Sequence, residues 1–454
     1  MDGIRIPPIL KSHAGVLAAG TVLRLALFIT APALCDVLQR RPELSTPLTS
    51  FRSLKEGVFI YERDTNPYEG GVFYHSPLHL AFFTYLVPIS SSLLTAFLWA
   101  AGDILGSLGL VNIWSQRRRT MGGQTDRSAI VTALYLFNPY TLLTCLARST
   151  TALDNALLIH AISSAASGKP GRLLSATVLL AISTHTSFYP ILLLPAFAII
   201  FSQLRPLTSS TTSAAVTVSG FALSSVGLAG LAYGLAGDAW VAQTFGTIIN
   251  VWDLTPNVGM WWYFFTEMFD HFRSFFLGVF QLHHLIYVAP LCLRLSDDPL
   301  VSMLVMVGVI STWKSYPALG DMALWAGLLS CFPEIVSIRK VDRAIVPDLR
   351  HPLFTLTVHL YTSILLPLLH SLWLLTGTGN ANFFYAATMV YGLNASLAVV
   401  DVLGAGLRLQ VKRETTKALS LLDDVAGREP DFKVIDEIWD KKGWSVVQFT
   451  GQLE

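Results

Sequence analysis

Charge is what this sequence has least of. Lys, Arg, Asp and Glu together make up 13% of its 454 residues, against about 25% in an ordinary soluble domain. With 52% of its residues hydrophobic, the chain has too few polar side chains to enclose soluble cores. Windows of about 20 residues carry almost no charge, the pattern of membrane-spanning helices. The period-2 alternation of an outer-membrane barrel is missing, so the expected fold is all-α, a polytopic bundle of transmembrane helices. Cysteine is scarce too. Cys35, Cys145, Cys292 and Cys331 stand singly at or near apolar segments, with no CxxC, and read as reduced buried thiols. A net charge of +1 with no basic domain argues against a nucleic-acid partner. GxSxG, the P-loop, HExxH and a recognisable Cys/His pairing are all absent. None of these motifs therefore points to a catalytic residue, metal or cofactor. Without an internal repeat or paired broken helices, a transporter is the weaker reading.

What is present is a succession of apolar segments. Residues 1–407 read as one multi-span domain of about ten to thirteen such segments. The first, about 14 to 35, reads as an uncleaved anchor, although Ala31-Pro32-Ala33 mimics a cleavage site. Pro88, Asn138-Pro139, Pro170 and Pro190 break or join later segments. Gly220, Gly227, Gly230 and Gly234 lie along one span, where small residues let helices approach closely. Residues 238–259 form a less apolar connection with Trp240 and Trp252 at headgroup level. Gln116-Arg117-Arg118-Arg119 with Arg127 is the clearest cytosolic marker. From Arg408 the chain turns polar, so 408–454 is expected to be a partly helical cytosolic tail.

Polar groups inside or beside apolar spans are expensive and mark positions to test for function. The stretch Ser53–Pro77 crowds Lys55, Glu56, Glu62, Arg63, Asp64 and Glu69 around Asn66-Pro67 and Gly70-Gly71. It reads as a substrate-contacting loop or as a solvated connector. Arg148 and Asp154 are placed to pair. Trp261 to Phe272 is an aromatic run in which Glu267 and His271, at i and i+4, would share a helix face. Its rings suit acyl chains, a sugar face or an interfacial belt. His283-His284 alone is too little for a metal. Thr376 to Tyr385 brings Asn380 and Asn382 to a glycine-flexed helix start. Their amides suit sugar hydroxyls and phosphate oxygens, or simply cap the helix. The sequon at Asn394 lies mid-span, out of reach of glycosylation.

Five blocks in order resemble the PIG-U family, the polytopic subunit of the glycosylphosphatidylinositol (GPI) transamidase. They are Ser53–Gly57 with Asn66-Pro-Tyr68; Phe137-Asn-Pro-Tyr140 with Arg148-Ser-Thr150; Trp262–Phe269; Tyr316–Asp321; and Asn380–Ala386. The resemblance implies a fold similar to the dolichyl-phosphate-sugar-dependent (GT-C) mannosyltransferases, in the endoplasmic reticulum membrane. It implies a cytosolic amino terminus and a lumenal first loop at about 39–77. Arg40, Arg41, Arg52 and Lys55 in that loop pull against this orientation. The implied role is non-catalytic, receiving the lipid and glycan of the GPI anchor and possibly a protein's attachment signal. Cleavage and transfer would fall to the partner PIG-K, with PIG-T, PIG-S and a Gaa-type subunit alongside. The expected lipid-binding set is Asn380, Asn382, Phe383, Phe384, Trp262, Phe264, Phe265, Glu267 and His271, with first-loop contacts from Lys55, Glu56, Asn66 and Tyr68. The 260–285 stretch is also similar to fatty acid elongases, but Phe280 stands where their histidine box begins. The rival reading is a GT-C mannosyltransferase using Glu62, Asp64 or Glu69 as base.

Overall fold

The computed structural model describes residues 12–120, 125–203, 209–336, 338–341, 344–347 and 349–426. Among these, six helices are long and apolar enough to cross a membrane: His13–Thr30, Ser92–Arg119, Thr211–Ala236, Asp270–Arg294, Pro352–Leu374 and Ala381–Val411. Ser128–Leu136 and Pro139–Leu146 form a seventh if counted as one span bent by 52°. Shorter apolar helices, among them Leu173–Ser187, Pro299–Trp313 and Leu319–Leu329, pack within the bundle. The protein is thus an all-α polytopic membrane bundle. A small antiparallel ribbon, Ile338–Val341 against Ala344–Pro347, is added to it.

Local chemistry sets the joints. Pro139 has no N–H to donate and excludes its predecessor from the helix, while Asn138 Oδ1 accepts Tyr140 N–H at 2.9 Å to start the next helix. The break strands a carbonyl, and Leu136 O receives Arg24 Nη2 at 3.0 Å. Arg24 is 0% exposed, and its Nε meets Asp103 Oδ2 at 2.7 Å. A pair so placed pins three helices together in an environment that tolerates no unpaired charge. Pro88 does not divide one span into two. The chain turns through short helices over Pro77–Ala81 and Phe82–Leu86, and a single helix, Ser92–Thr120, then runs the whole width.

The bundle has two distinct ends. One, the basic end, gathers Arg117, Arg118, Arg119, Arg127, Lys169, Arg172, Arg294 and Arg350 at helix termini and turns, with Arg408 and Arg413 within the last helix. The other, the loop end, holds the first loop, the 237–260 connection and the turn 375–380. The last helix, Ala381–Ala426, starts at the loop end and crosses the boundary expected at 408 without interruption. Residues 427–454 of the expected tail lie outside the described residues.

Candidate functional site

At the loop end the aromatic run does not form one helix. Trp261–Glu267 is a short helix, Met268 and Phe269 are extended, and a new helix starts at Asp270. Glu267 and His271 therefore do not share a face. Two extended residues between them remove the i, i+4 relation. Both side chains are exposed, and His271 packs on Phe269 and Phe272 instead.

The short helix sends its rings two ways. Trp261, Phe264 and Phe265 turn inward onto Phe280, with ring centroids 4.9, 5.1 and 5.6 Å away. Trp262 and Tyr263 turn towards the last two helices. Trp262 stacks on Trp373 at 6.1 Å and meets Phe384 at 5.9 Å, and Tyr263 lies 4.6 Å from Tyr385. The Tyr263 hydroxyl donates to Asn382 Oδ1. Asn380 caps the final helix, its Oδ1 accepting Phe383 N–H at 3.2 Å. Asn380, Asn382 and Phe383 are exposed while Phe384 is fully buried. The result is a greasy wall of stacked rings edged by two amides and a phenol.

The first loop is folded structure, not slack connector. Its helix Phe51–Tyr61 lays Phe51 against Trp99 at 5.1 Å. Lys55 sits with its ammonium 5.1 Å from the Phe51 ring. Glu56, Gly57, Asn66, Glu69 and Phe73 line a recess of about 320 Å³. Asn66 is largely spent on the fold: Oδ1 accepts Tyr68 N–H, and Nδ2 donates to Ala236 O at 3.2 Å. Tyr68 is 1% exposed and gives its hydroxyl to His75 O at 2.8 Å. It shapes the loop from within and presents no atom to a ligand. Glu62 and Asp64 stand exposed on the outer rim.

Arg148 and Asp154 do not pair. Arg148 reaches Ser92 Oγ at 3.2 Å and lies over the Phe28 ring, whereas Asp154 Oδ1 is 3.1 Å from His79 Nε2. The turn at Arg148, with φ of 51°, directs it away from the helix that carries Asp154. His283 and His284 go into aromatic packing: Tyr287 hydroxyl lies 3.1 Å from His283 Nε2, and His284 sits between Tyr189 and Trp261. Among the described residues, no three His, Cys, Asp or Glu side chains cluster as metal ligands would.

Sequence reasoning missed two features. One is a small polar chamber of about 60 Å³ where Thr49, Asp154, Asn155, Lys314 and Asp321 meet. Lys314 Nζ donates to Asp321 Oδ1 at 2.6 Å, and Asn155 Nδ2 to Gly320 O at 2.8 Å. The lone Lys314 and Asp321, seven residues apart at the edge of apolar helices, were the available signal. The other is an apolar cavity of about 1000 Å³ at the basic end, with Ala129, Ala133, Trp325, Leu356 and Ala395 among its lining.

Fold and site together define a multi-pass membrane protein with an aromatic and amide wall at one end. The family model for GPI transamidase subunit PIG-U matches residues 18–391, and the chain belongs to that family. GPI transamidase component GAB1 of Saccharomyces cerevisiae is 32% identical over 405 residues, 88% of this chain and 96% of its own. GPI-anchor transamidase component PIGU of Homo sapiens is 30% identical over 425 residues, 87% and 93%. A GAB1 homolog of Schizosaccharomyces pombe is 31% identical over 382 residues, 82% and 88%.

Proposed function

We propose that this chain is the non-catalytic subunit that receives the GPI glycolipid for a transamidase in the endoplasmic reticulum membrane. It would work beside PIG-K, which would carry the cleavage and transfer chemistry, and PIG-T, PIG-S and a Gaa-type subunit. Acyl chains lie against the exposed Phe383 and the half-buried Phe264, while Trp262, Phe265 and Phe384, all buried, back the wall and reach no ligand themselves. Asn380 and Asn382 offer amides to the glycan or phosphate, with Glu267, His271, Lys55, Glu56 and Asn66 further out. The protein's own attachment signal is a second candidate occupant of the same wall. The carrying observation is the exposure of Asn382 beside the Trp262–Trp373–Phe384 stack. The basic end faces the cytosol in this reading. The arginines and lysines gathered there exceed those of the first loop, where Arg41 is already engaged by Glu43 at 2.8 Å.

A mannosyltransferase is not favoured. The relatives carry transamidase names, and Glu62 and Asp64 face open surroundings where a base gains nothing from excluded water. The test is GPI transfer by the assembled complex. Replacing Asn380 and Asn382 with Leu removes polar contacts worth on the order of tenfold in transfer, with subunit composition unchanged. Asn380→Ser, which keeps the cap, separates binding from helix capping. Normal transfer by the Asn382→Leu complex removes the wall from the site.

A further inference from the structure

The small polar chamber shares no residue with the wall. It lies where Thr49 of the first loop meets four helices: the starts of Thr151–Ala166 and Leu319–Leu329 and the ends of Leu173–Ser187 and Pro299–Trp313. Leu48, Thr49 and Lys314 are only half-buried, which gives it a way out to the loop end. Its volume of about 60 Å³ compares with about 10–15 Å³ for one water. It therefore admits a few non-hydrogen atoms and no sugar ring.

Charge selects what can enter. Three charged side chains line the chamber, and two of them cancel. Lys314 Nζ donates to Asp321 Oδ1 at 2.6 Å, and Asp321 Oδ2 takes the Ala318 N–H at 2.7 Å. The third, Asp154, is 7% exposed and has no cation of its own. His79 Nε2 lies 3.1 Å from its Oδ1, yet no hydrogen bond joins them, and among the described residues none reaches the carboxylate. Asp154 stands in the first turn of its helix, whose positive end offsets part of one charge only. A carboxylate buried so deeply is costly until a cation meets it.

The remaining lining asks for a donor. The hydroxyls of Thr186 and Ser187 both give their protons to Ser183 O, at 3.2 and 2.9 Å. Ser311 gives its proton to Val307 O at 2.7 Å and Tyr316 to Asp253 O at 2.8 Å. Asn155 spends Nδ2 on Gly320 O at 2.8 Å. Lone pairs are what these groups have left to offer. A compact cation with several N–H bonds, a primary ammonium, meets all three conditions of size, charge and donor count.

We propose that the chamber receives the primary ammonium of the glycolipid, with Asp154 as its counter-ion. The inference rests on the glycolipid-receiving role proposed above. Transamidation passes an acyl group from an amide to an amine, so the acceptor lipid in that role brings an amine with it. The Asp154 carboxylate favours its charged form, which has no free electron pair and is held unreactive until the lipid moves on. An amino sugar in the glycan presents the same group and is the second source of this chemistry.

The test measures binding, because acetylating a reacting amine would stop transfer wherever it bound. The assembled complex in nanodiscs is titrated with a fluorescent GPI glycolipid in three forms: amines free, terminal amine acetylated, and amino sugar acetylated. One of the two acetylations should weaken binding to the wild type about tenfold, the scale of a charge-assisted hydrogen bond, and thereby names the source. Asp154→Asn should bind the free-amine lipid as weakly as the wild type binds that acetylated form, and should no longer distinguish them. Equal binding of all three lipids by the wild type overturns the proposal. Water, an alkali cation or a lysine from a neighbouring subunit in the chamber would give that result, and it needs no variant to assemble. Discrimination that survives in Asp154→Asn overturns it as well. Asn382→Leu, assayed alongside, should weaken all three lipids by one factor. If it weakens none while the wild type still discriminates, the wall fails and the chamber stands.

Discussion

Arg24 concentrates the energetic logic of this chain in one side chain. It lies in the first span, is fully buried, and donates to Asp103, Gly20 O and Leu136 O. Arg24→Leu leaves Asp103, 1% exposed, without its cation, an error that costs about 3–5 kcal/mol. The double variant Arg24→Met, Asp103→Leu should recover much of that loss, as thermal unfolding of purified protein would show. Sequence reading passed over the pair because its members are 79 residues apart and each is single in its span. His75 gives the matching case for pH. Burial, then the neighbouring His79, lowers its pKa from 6.5 to about 3, although the Ser50 carbonyl 2.9 Å from its Nε2 works the other way. Between those two values the unfolded chain binds the extra proton, so stability falls as pH drops from 6.5 towards 3, by about 1.4 kcal/mol per unit. Unfolding midpoints should show that slope between pH 6.5 and 5 in the wild type and lose it in His75→Gln.

Elements were legible where proline and charge mark them and illegible where packing decides. The break at Asn138-Pro139 and the cap at Asn380 follow from residue chemistry alone, and both stand in the structure. The break at Met268–Phe269 carries no proline or glycine. It exists because Trp262 and Phe265 are pulled to opposite partners, Trp373 and Phe280, and no local pattern announces those. The first-loop helix shows the same division. Its charges and turn residues could be read, but its helix and seat could not: Gly57 is where Phe73 lies against the backbone, and an added Cβ would stand 2.1 Å from that ring. Gly57→Ala should therefore displace Phe73 and reshape the recess at Glu56 and Glu69, at about 1–3 kcal/mol. Limited proteolysis within 62–76 should quicken, while the helices of the span region keep their protection.

At the scale of the whole molecule, the two ends are held by different means, which lets one be weakened without the other. The loop end is closed by rings and by backbone bonds from the first loop, such as Leu319 N–H to Glu43 O at 2.8 Å. The basic end is closed by charge. Arg117 grips Asp298 with two bonds of 2.9 and 2.8 Å and Glu334 with one of 2.6 Å, and Arg413 adds a contact to Asp298 at 3.1 Å. Four separate elements meet there: the helix ending at Thr120, the start of Pro299–Trp313, Pro333–Val336 and the last helix. Burial alone would raise the Asp298 pKa, but Arg117 and then Arg413 outweigh it and hold the carboxyl below its ordinary 3.8. The stability it contributes is present above that unfolded value and is lost as pH falls through the folded one. Arg117→Leu leaves Glu334 and Asp298 facing each other without their shared cation, and the clasp should open. Hydrogen exchange should accelerate at 295–300 and 333–336 and along the last helix near Arg413, while 261–267 and 381–385 keep wild-type rates. If the loop end loosens equally, the two ends are one cooperative unit, and the aromatic wall depends on the ionic clasp across the membrane.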